Sequence, residues 1–224
     1  TFTPANWDTP QTVTVTGVND GSVVDGNQTS TVTVSVNDGS SNDSFDPLAD
    51  QTVSVTTTDN DVPGFTVAES GGSTSVNESG TTDTFTVVLN AQPTSDVLFS
   101  LTASDATEAS VTTSLTFTPA NWNTAQTATV TGLNESTVDG DQTSVITISI
   151  VDAVSNDSFD PVADQTVSVT TVDNDTAGFT VVQSGGSTSV SEAGTTDTFT
   201  VVLNAQPISD VVLTITSSDT GEAT

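Results

Sequence analysis

The chain copies itself at the spacing of one small domain. Thr1-Phe-Thr-Pro-Ala-Asn-Trp7 returns 115 residues later as Thr116–Trp122, and Gly80–Pro93 returns unchanged 114 residues later as Gly194–Pro207. The offset changes by one because Gly17–Gly26 holds one residue more than Gly132–Gly140. Such a period exceeds a solenoid turn or a propeller blade and fits a whole domain. The chain must therefore fold as an array of similar units, and arrays supply distance or multivalency rather than a single active site.

Within each unit the apolar pattern has period two. Val13 and Val15 alternate with Thr12, Thr14 and Thr16, Val32, Val34 and Val36 with Thr31, Thr33 and Ser35, and Val53 and Val55 with Thr52, Ser54 and Thr56. Alternation of β-branched residues predicts half-buried antiparallel strands with Val inward and Thr outward. Turn-forming runs such as Asn19-Asp-Gly21, Asp38-Gly39, Ser70-Gly-Gly72 and Ala91-Gln-Pro93 separate them, and no segment has helical periodicity.

The predicted fold class is all-β, with tandem antiparallel Greek-key β-sandwiches of about seven strands per repeat. Strands are expected near 64–68, 83–90, 96–103, 112–118, 126–131, 142–151 and 164–172. Phe65, Phe85, Phe99, Phe117, Trp122 and Phe159 are expected to fill the core. Residues 1–61 read as the C-terminal half of a repeat, 62–175 as a complete repeat and 176–224 as the N-terminal half of the next. The chain opens in mid-pattern, as a piece of something longer would. Its two ends are complementary halves: with Thr224 aligned to Ser110 and Thr1 to Thr116, only the counterparts of Val111–Leu115 are missing. Two accounts fit, a window from a continuous array or a head-to-tail filament in which identical subunits complete one another.

Composition narrows the partners. There is no Lys, Arg or His against 29 Asp and Glu, a formal charge of −29. Phosphate contacts need Lys or Arg, so nucleic acid is excluded, and an anionic membrane surface repels the chain in the same way. No apolar run reaches the length of a membrane span, and none reads as a signal peptide. Cysteine is absent, so no disulfide contributes. The missing cationic side chains also deny trypsin-like proteases a cleavage site, which suits an extracellular or cell-surface location.

The acids recur with the period. Asp59-Asn60-Asp61 and Asp173-Asn174-Asp175 close a repeat, and Glu78 and Glu192 follow its opening. Asp105 with Glu108 is matched by Asp219 with Glu222, and Asp20 with Asp25 by Glu135 with Asp139. In a sandwich all of these fall in loops, and alternate loops gather at one end. The closing Asp-x-Asp is expected to lie beside the opening loops of the next repeat. Any single acid is explained by the turn preference of Asp and Asn. The joint set points to metal, because converging carboxylates at 4 Å repel by about 4 kcal/mol at an effective dielectric near 20. Calcium, which takes six to eight oxygens, is the expected ion. Glu69, whose counterpart is Gln183, reads as solvated surface, and Asp43, Asp46, Asp157 and Asp160 read as turn residues open to a metal role.

In this order the motifs resemble a Calx-β domain, in particular the Calx-β-like repeats of giant bacterial surface adhesins. The resemblance rests on Gly64-Phe-Thr-Val67, Val-x-Glu-x-Gly at Val76–Gly80, Phe85-Thr-Val-Val-Leu89, Leu115–Trp122 and the terminal Asp-Asn-Asp, and it covers the whole chain. It implies calcium at the distal loops near the junction between domains. The matching positions are Glu78, Asp105, Glu135, Asp139, Asp173 and Asp175, with Glu192 and Asp219 of the following unit. The acidic run after the fifth strand, Asn134-Glu135-Ser136, is shorter than that family usually carries.

The leading functional expectation is thus a non-enzymatic structural segment of an extracellular stalk, adhesin or filament, with Ca2+ at its junctions. The alternative is an adhesion module that binds glycan or ice through a Thr-rich face such as Thr52–Thr58, although outward strand faces are rich in Thr in any case. Six Asn-x-Ser/Thr sequons (Asn27, Asn42, Asn77, Asn134, Asn156 and Asn174) permit glycan attachment, at a frequency so much Ser and Thr produces by chance. For catalysis the usual His base, Cys nucleophile and cationic anion-stabiliser are all missing.

Overall fold

Residues 1–223 are described by a computed structural model; Thr224, which ends the second half-repeat in the alignment, lies outside them. The central repeat is a two-layer all-β sandwich of nine strands: β1 (Phe65–Glu69), β2 (Thr74–Asn77), β3 (Thr82–Leu89), β4 (Val97–Ala103), β5 (Ala109–Val111), β6 (Ser114–Phe117), β7 (Gln126–Gly132), β8 (Gln142–Ile150) and β9 (Gln165–Val172). One sheet has the order β6-β4-β8-β9-β2 and the other β1-β3-β7-β5. Every pairing in them is antiparallel except β9 with β2, which runs parallel with Asn77 opposite Val172.

Nine strands replace the expected seven because the chain twice changes sheet within a short span. The opening strand leaves its sheet through Gly71 and Gly72, both at positive φ (67° and 82°), where a side chain would be strained. It resumes as β2 in the opposite sheet. The strand expected over 112–118 is likewise two pieces, β5 in one layer and β6 in the other. Between them Thr112 N donates to Thr129 O and Thr113 O accepts from Leu101 N, one bond to each sheet. Neither crossing has a period-two signature, because three or four residues between turns are too few to show one.

The layers close on Phe85, Phe99, Phe117, Phe159, Leu101, Ile146 and Ile148, all essentially without solvent contact. Phe99 is the centre: its ring meets Phe65 edge-on at 4.8 Å and Phe117 at 5.7 Å. Trp122 packs at the margin of this cluster and remains partly exposed. Glu69 is held more firmly than solvated surface requires, since its Oε2 accepts from Thr74 Oγ1 at 2.8 Å.

The flanking halves keep only the pairings they contain within themselves. Gln28–Val34 pairs with Gln51–Thr57, and Phe179–Gln183 with Phe199–Leu203, matching β8–β9 and β1–β3. Val13, Val15, Val34 and Val53, expected inward, stay exposed because the sheet that would cover them has no strands here.

Each half joins the central repeat through the same bridge. Val23-Val24 runs parallel to Gln92-Pro93, and Thr137-Val138 to Gln206-Pro207. Gln92 N donates to Ser22 O, and Gln206 N to Ser136 O, both at 2.7 Å. Val24, 5% exposed, enters the apolar cluster of the central repeat.

Candidate metal centre

The parallel β2–β9 pairing builds the site. With Asn77 opposite Val172, the next residues, Glu78 and Asp173, are set side by side. Glu78 N donates to Val172 O at 3.3 Å, and Asn174 N donates to Glu78 Oε2 at 3.1 Å. The β7–β8 loop adds Glu135 and Asp139, and the turn before β5 adds Glu108. Glu78 is 1% exposed and Glu108 7%.

Some of these carboxylates hold the loops in shape. Asp173 Oδ1 accepts from Asp175 N at 2.6 Å and its Oδ2 from Gly140 N at 2.8 Å, which ties the closing segment to the β7–β8 loop. Glu135 Oε2 accepts from Thr137 N at 2.8 Å. Asp141, a residue the sequence reading passed over, accepts from Asp173 N at 3.2 Å through Oδ1. Its counterpart Asn27 accepts from Asp59 N at 3.0 Å, so the repeat alignment held the signal.

Other oxygens have no partner. Glu108 Oε2, Glu135 Oε1, Asp139 Oδ1 and Asp175 Oδ2 are all shut off from solvent and accept no hydrogen bond. Buried acceptors are normally satisfied, and four unpaired carboxylate oxygens in one region call for a cation. The geometry agrees. Ligand oxygens of Glu78, Asp173 and Asp175 lie within 4.8 Å of one another, as do those of Glu78, Glu135 and Asp139. Oxygens on one calcium at about 2.3–2.6 Å lie no more than about 5 Å apart. Glu78 belongs to both groups and is the pivot of the site.

The first half-repeat repeats the cradle without its glutamates. Asp59 Oδ1 accepts from Asp61 N at 2.8 Å, and its Oδ2 from Gly26 N at 2.7 Å and Asp25 N at 3.1 Å. Asp61 Oδ2 is again buried and unpaired.

Electrostatics follow the same division. Burial pushes the Glu78 and Glu108 carboxyls up; Asp173, Glu135 and Asp175 add to the effect on Glu78, and Asp139 and Asp105 to that on Glu108. Asp61 is raised by burial and by Asp59, Asp20 and Asp25. Asp173 is held below the usual range by the amides of Asp175 and Gly140, and Asp59 by those of Asp61 and Gly26. Raised groups oppose folding in full above their folded values, neutral pH included; the cost shrinks as pH falls through those values and is gone at the ordinary Glu value near 4.3. The depressed groups support folding above the ordinary Asp value near 3.9, and that support is lost as pH falls through their folded values. In EDTA the chain should therefore melt higher near about pH 4.3 than near pH 7, and lower again below about pH 3. A melting temperature that fell steadily across that range would contradict this balance.

The remaining sequence candidates are placed differently. Asp105 is exposed and spends its Oδ1 on Thr107 N and Oγ1, a turn cap outside both ligand groups. Glu192, Asp219 and Glu222 are all exposed, and among the described residues none of them joins Asp173 or Asp175 in a group at ligand spacing. The glutamate beside a closing Asp-x-Asp is that of the same repeat. Asp160 is also raised, by burial and then by Asp152 and Asp157, and its Oδ1 and that of its counterpart Asp46 are unpaired. Among the described residues these acids form no group at ligand spacing.

No family model matches the sequence, and neither does any curated protein. Solved structures that are similar include SSP-19, an MSP-domain protein like family member in Caenorhabditis elegans, at 16% identity over 45% of this chain and 92% of that one, TM-score 0.30. The E. coli chaperone DraB matches at 9% identity over 52% of this chain and 59% of that one, TM-score 0.36. Domains 1–6 of the surface layer protein SbsC match at 17% identity over 69% of this chain and 23% of that one, TM-score 0.34. At such scores these likenesses carry no functional argument, and the reading of the chain rests on its own residues.

Proposed function

We propose that the chain is a non-enzymatic structural segment of an extracellular bacterial surface stalk, adhesin or filament, made of Calx-β-like repeats and stiffened by Ca2+ at their ends. The observation that carries this reading is the set of unpaired, buried carboxylate oxygens around Glu78 in a chain with no cationic side chain. The donors are all oxygen; with neither His nor Cys, zinc, copper and iron lack their favoured ligands, while a crowd of carboxylates suits calcium.

The mechanism is mechanical. The loop that brings Glu135 and Asp139 to the centre also carries Thr137-Val138, which pairs with Gln206-Pro207 of the following unit. An ion that fixes this loop fixes the seat of the next repeat, so the array transmits position over its length. Calorimetric titration of the chelator-stripped chain should show calcium binding that Glu78→Gln weakens at least about tenfold, a loss of about 1.4 kcal/mol. Heat-silent titration with no bound calcium by equilibrium dialysis would refute the reading.

A further inference from the structure

Two hollows lie at the flanking half-repeats, one at each. The first, in residues 1–61, is lined by Val15, Asp20, Asp25, Gln28, Asp59 and Asn60. The second is apolar, lined by Phe179, Leu203, Ala205, Pro207, Ile208 and Val211. The central repeat shows what fills each. The counterpart of the first holds β2 and Glu78, whose equivalents are Thr188–Glu192. The counterpart of the second is packed by Phe117, Trp122 and Phe159, whose equivalents are Phe2, Trp7 and Phe45.

Exposure measures how incomplete each half is. Phe2 and Phe45 are 61% and 57% exposed where Phe117 and Phe159 are fully buried, and Ile215 is 73% exposed where Leu101 is 2%. In the central repeat five ladders join first-half to second-half strands: β3–β7, β5–β7, β4–β6, β4–β8 and β2–β9. Gly17 adds an independent sign. At its counterpart Gly132, an added Cβ would lie 2.1 Å from Asn77 O, so the backbone of β2 demands glycine there. At Gly17 the same Cβ would meet only Thr57 Cγ2 at 3.6 Å. The half-repeat by itself gives that glycine no steric purpose, whereas an incoming strand would.

We infer that residues 176–224 of one copy of this chain dock onto residues 1–61 of a second copy, forming a composite sandwich whose cation site is shared between them. Glu192 of the incoming copy takes the place of Glu78 beside Asp20, Asp25, Asp59 and Asp61, and Glu222 that of Glu108. The calcium dependence of this contact rests on the functional reading above; the docking of the two faces does not.

The test uses the whole chain, by sedimentation velocity in calcium and in EDTA, beside Gly17→Val and Glu192→Gln. Wild type should form head-to-tail oligomers in calcium. Gly17→Val should weaken association at least about tenfold while the central repeat keeps its melt and its bound calcium. Glu192→Gln should remove most of the calcium dependence. A wild-type chain that stays monomeric in calcium, or a Gly17→Val chain that associates as well as wild type, overturns the inference. Calcium at the central repeat is counted separately in Gly17→Val, so its absence there would sink the metal reading while association still judges the docking.

Discussion

Gly132→Ala should unfold the central repeat at temperatures where the parent chain is intact. The added Cβ would sit 2.1 Å from Asn77 O and 2.7 Å from Asn77 C, and both are backbone atoms with no rotamer to change. Gly132 has no positive φ, so the requirement is for close approach and not for conformational freedom. Relief means moving β7, whose Gly132 N donates to Thr81 O, or moving β2, which carries Asn77 into its pairing with Val172. Either shift breaks ladder bonds and drags Glu78 from Asn174. A loss of about 3 kcal/mol or more is expected, at the upper end for overpacking. Denaturant unfolding of the parent and the variant measures it. Gly17→Ala, whose Cβ has room, is the control and should leave the stability of the central repeat unchanged. If Gly132→Ala cost less than about 1 kcal/mol, the two sheets would be less rigidly opposed here than their contact implies.

Chelation should have the other large effect. Carboxylates about 5 Å apart repel by about 3 kcal/mol at an effective dielectric near 20, and several such pairs meet around Glu78. A bound divalent ion turns that repulsion into attraction. At a hundredfold excess over its dissociation constant, one calcium contributes about 2.7 kcal/mol, which for a domain of this size corresponds to about 10 °C in melting temperature. EDTA should therefore lower the melt of the central repeat by at least that much. It should also loosen the junction, because the β7–β8 loop serves both the ion and the bridge to Gln206-Pro207, and small-angle scattering would register the added bending. Glu78→Gln supplies the internal check through a change of sign. In calcium it removes the shared ligand and should destabilise; in EDTA it removes a buried charge among like charges and should stabilise, on the order of 1 kcal/mol. A variant that destabilised equally in both solutions would mean that Glu78 serves the fold and not an ion.

Much of this was legible in the residues. Period-two Val and Thr gave the long strands to within a residue or two, and the repeated phenylalanines gave the core, with Phe65, Phe85, Phe99, Phe117 and Phe159 all buried. The recurrence of the acids marked which side chains to watch. The sheet crossings at Gly71-Gly72 and Thr112-Thr113 escaped, since a strand of three or four residues has no measurable period. Loop order alone set the closing Asp-x-Asp beside the next repeat and so beside Glu192, while the resemblance also grouped Glu78 with Asp173 and Asp175; what joins those three is a ladder closed across almost a whole domain.

The sequence by itself determined an all-β array with a fixed period, a chain unable to neutralise its own charge, and halves of matching pattern at its two ends. These follow from local alternation, composition and copying, none of which depends on how the chain closes. Only the tertiary structure decided that β2 runs parallel to β9, a register that places Glu78 at Asp173, and that β2 lies so close to β7 that no side chain fits at Gly132. Long-range pairing is chosen by the packing of both layers at once, so no stretch of sequence carries it alone.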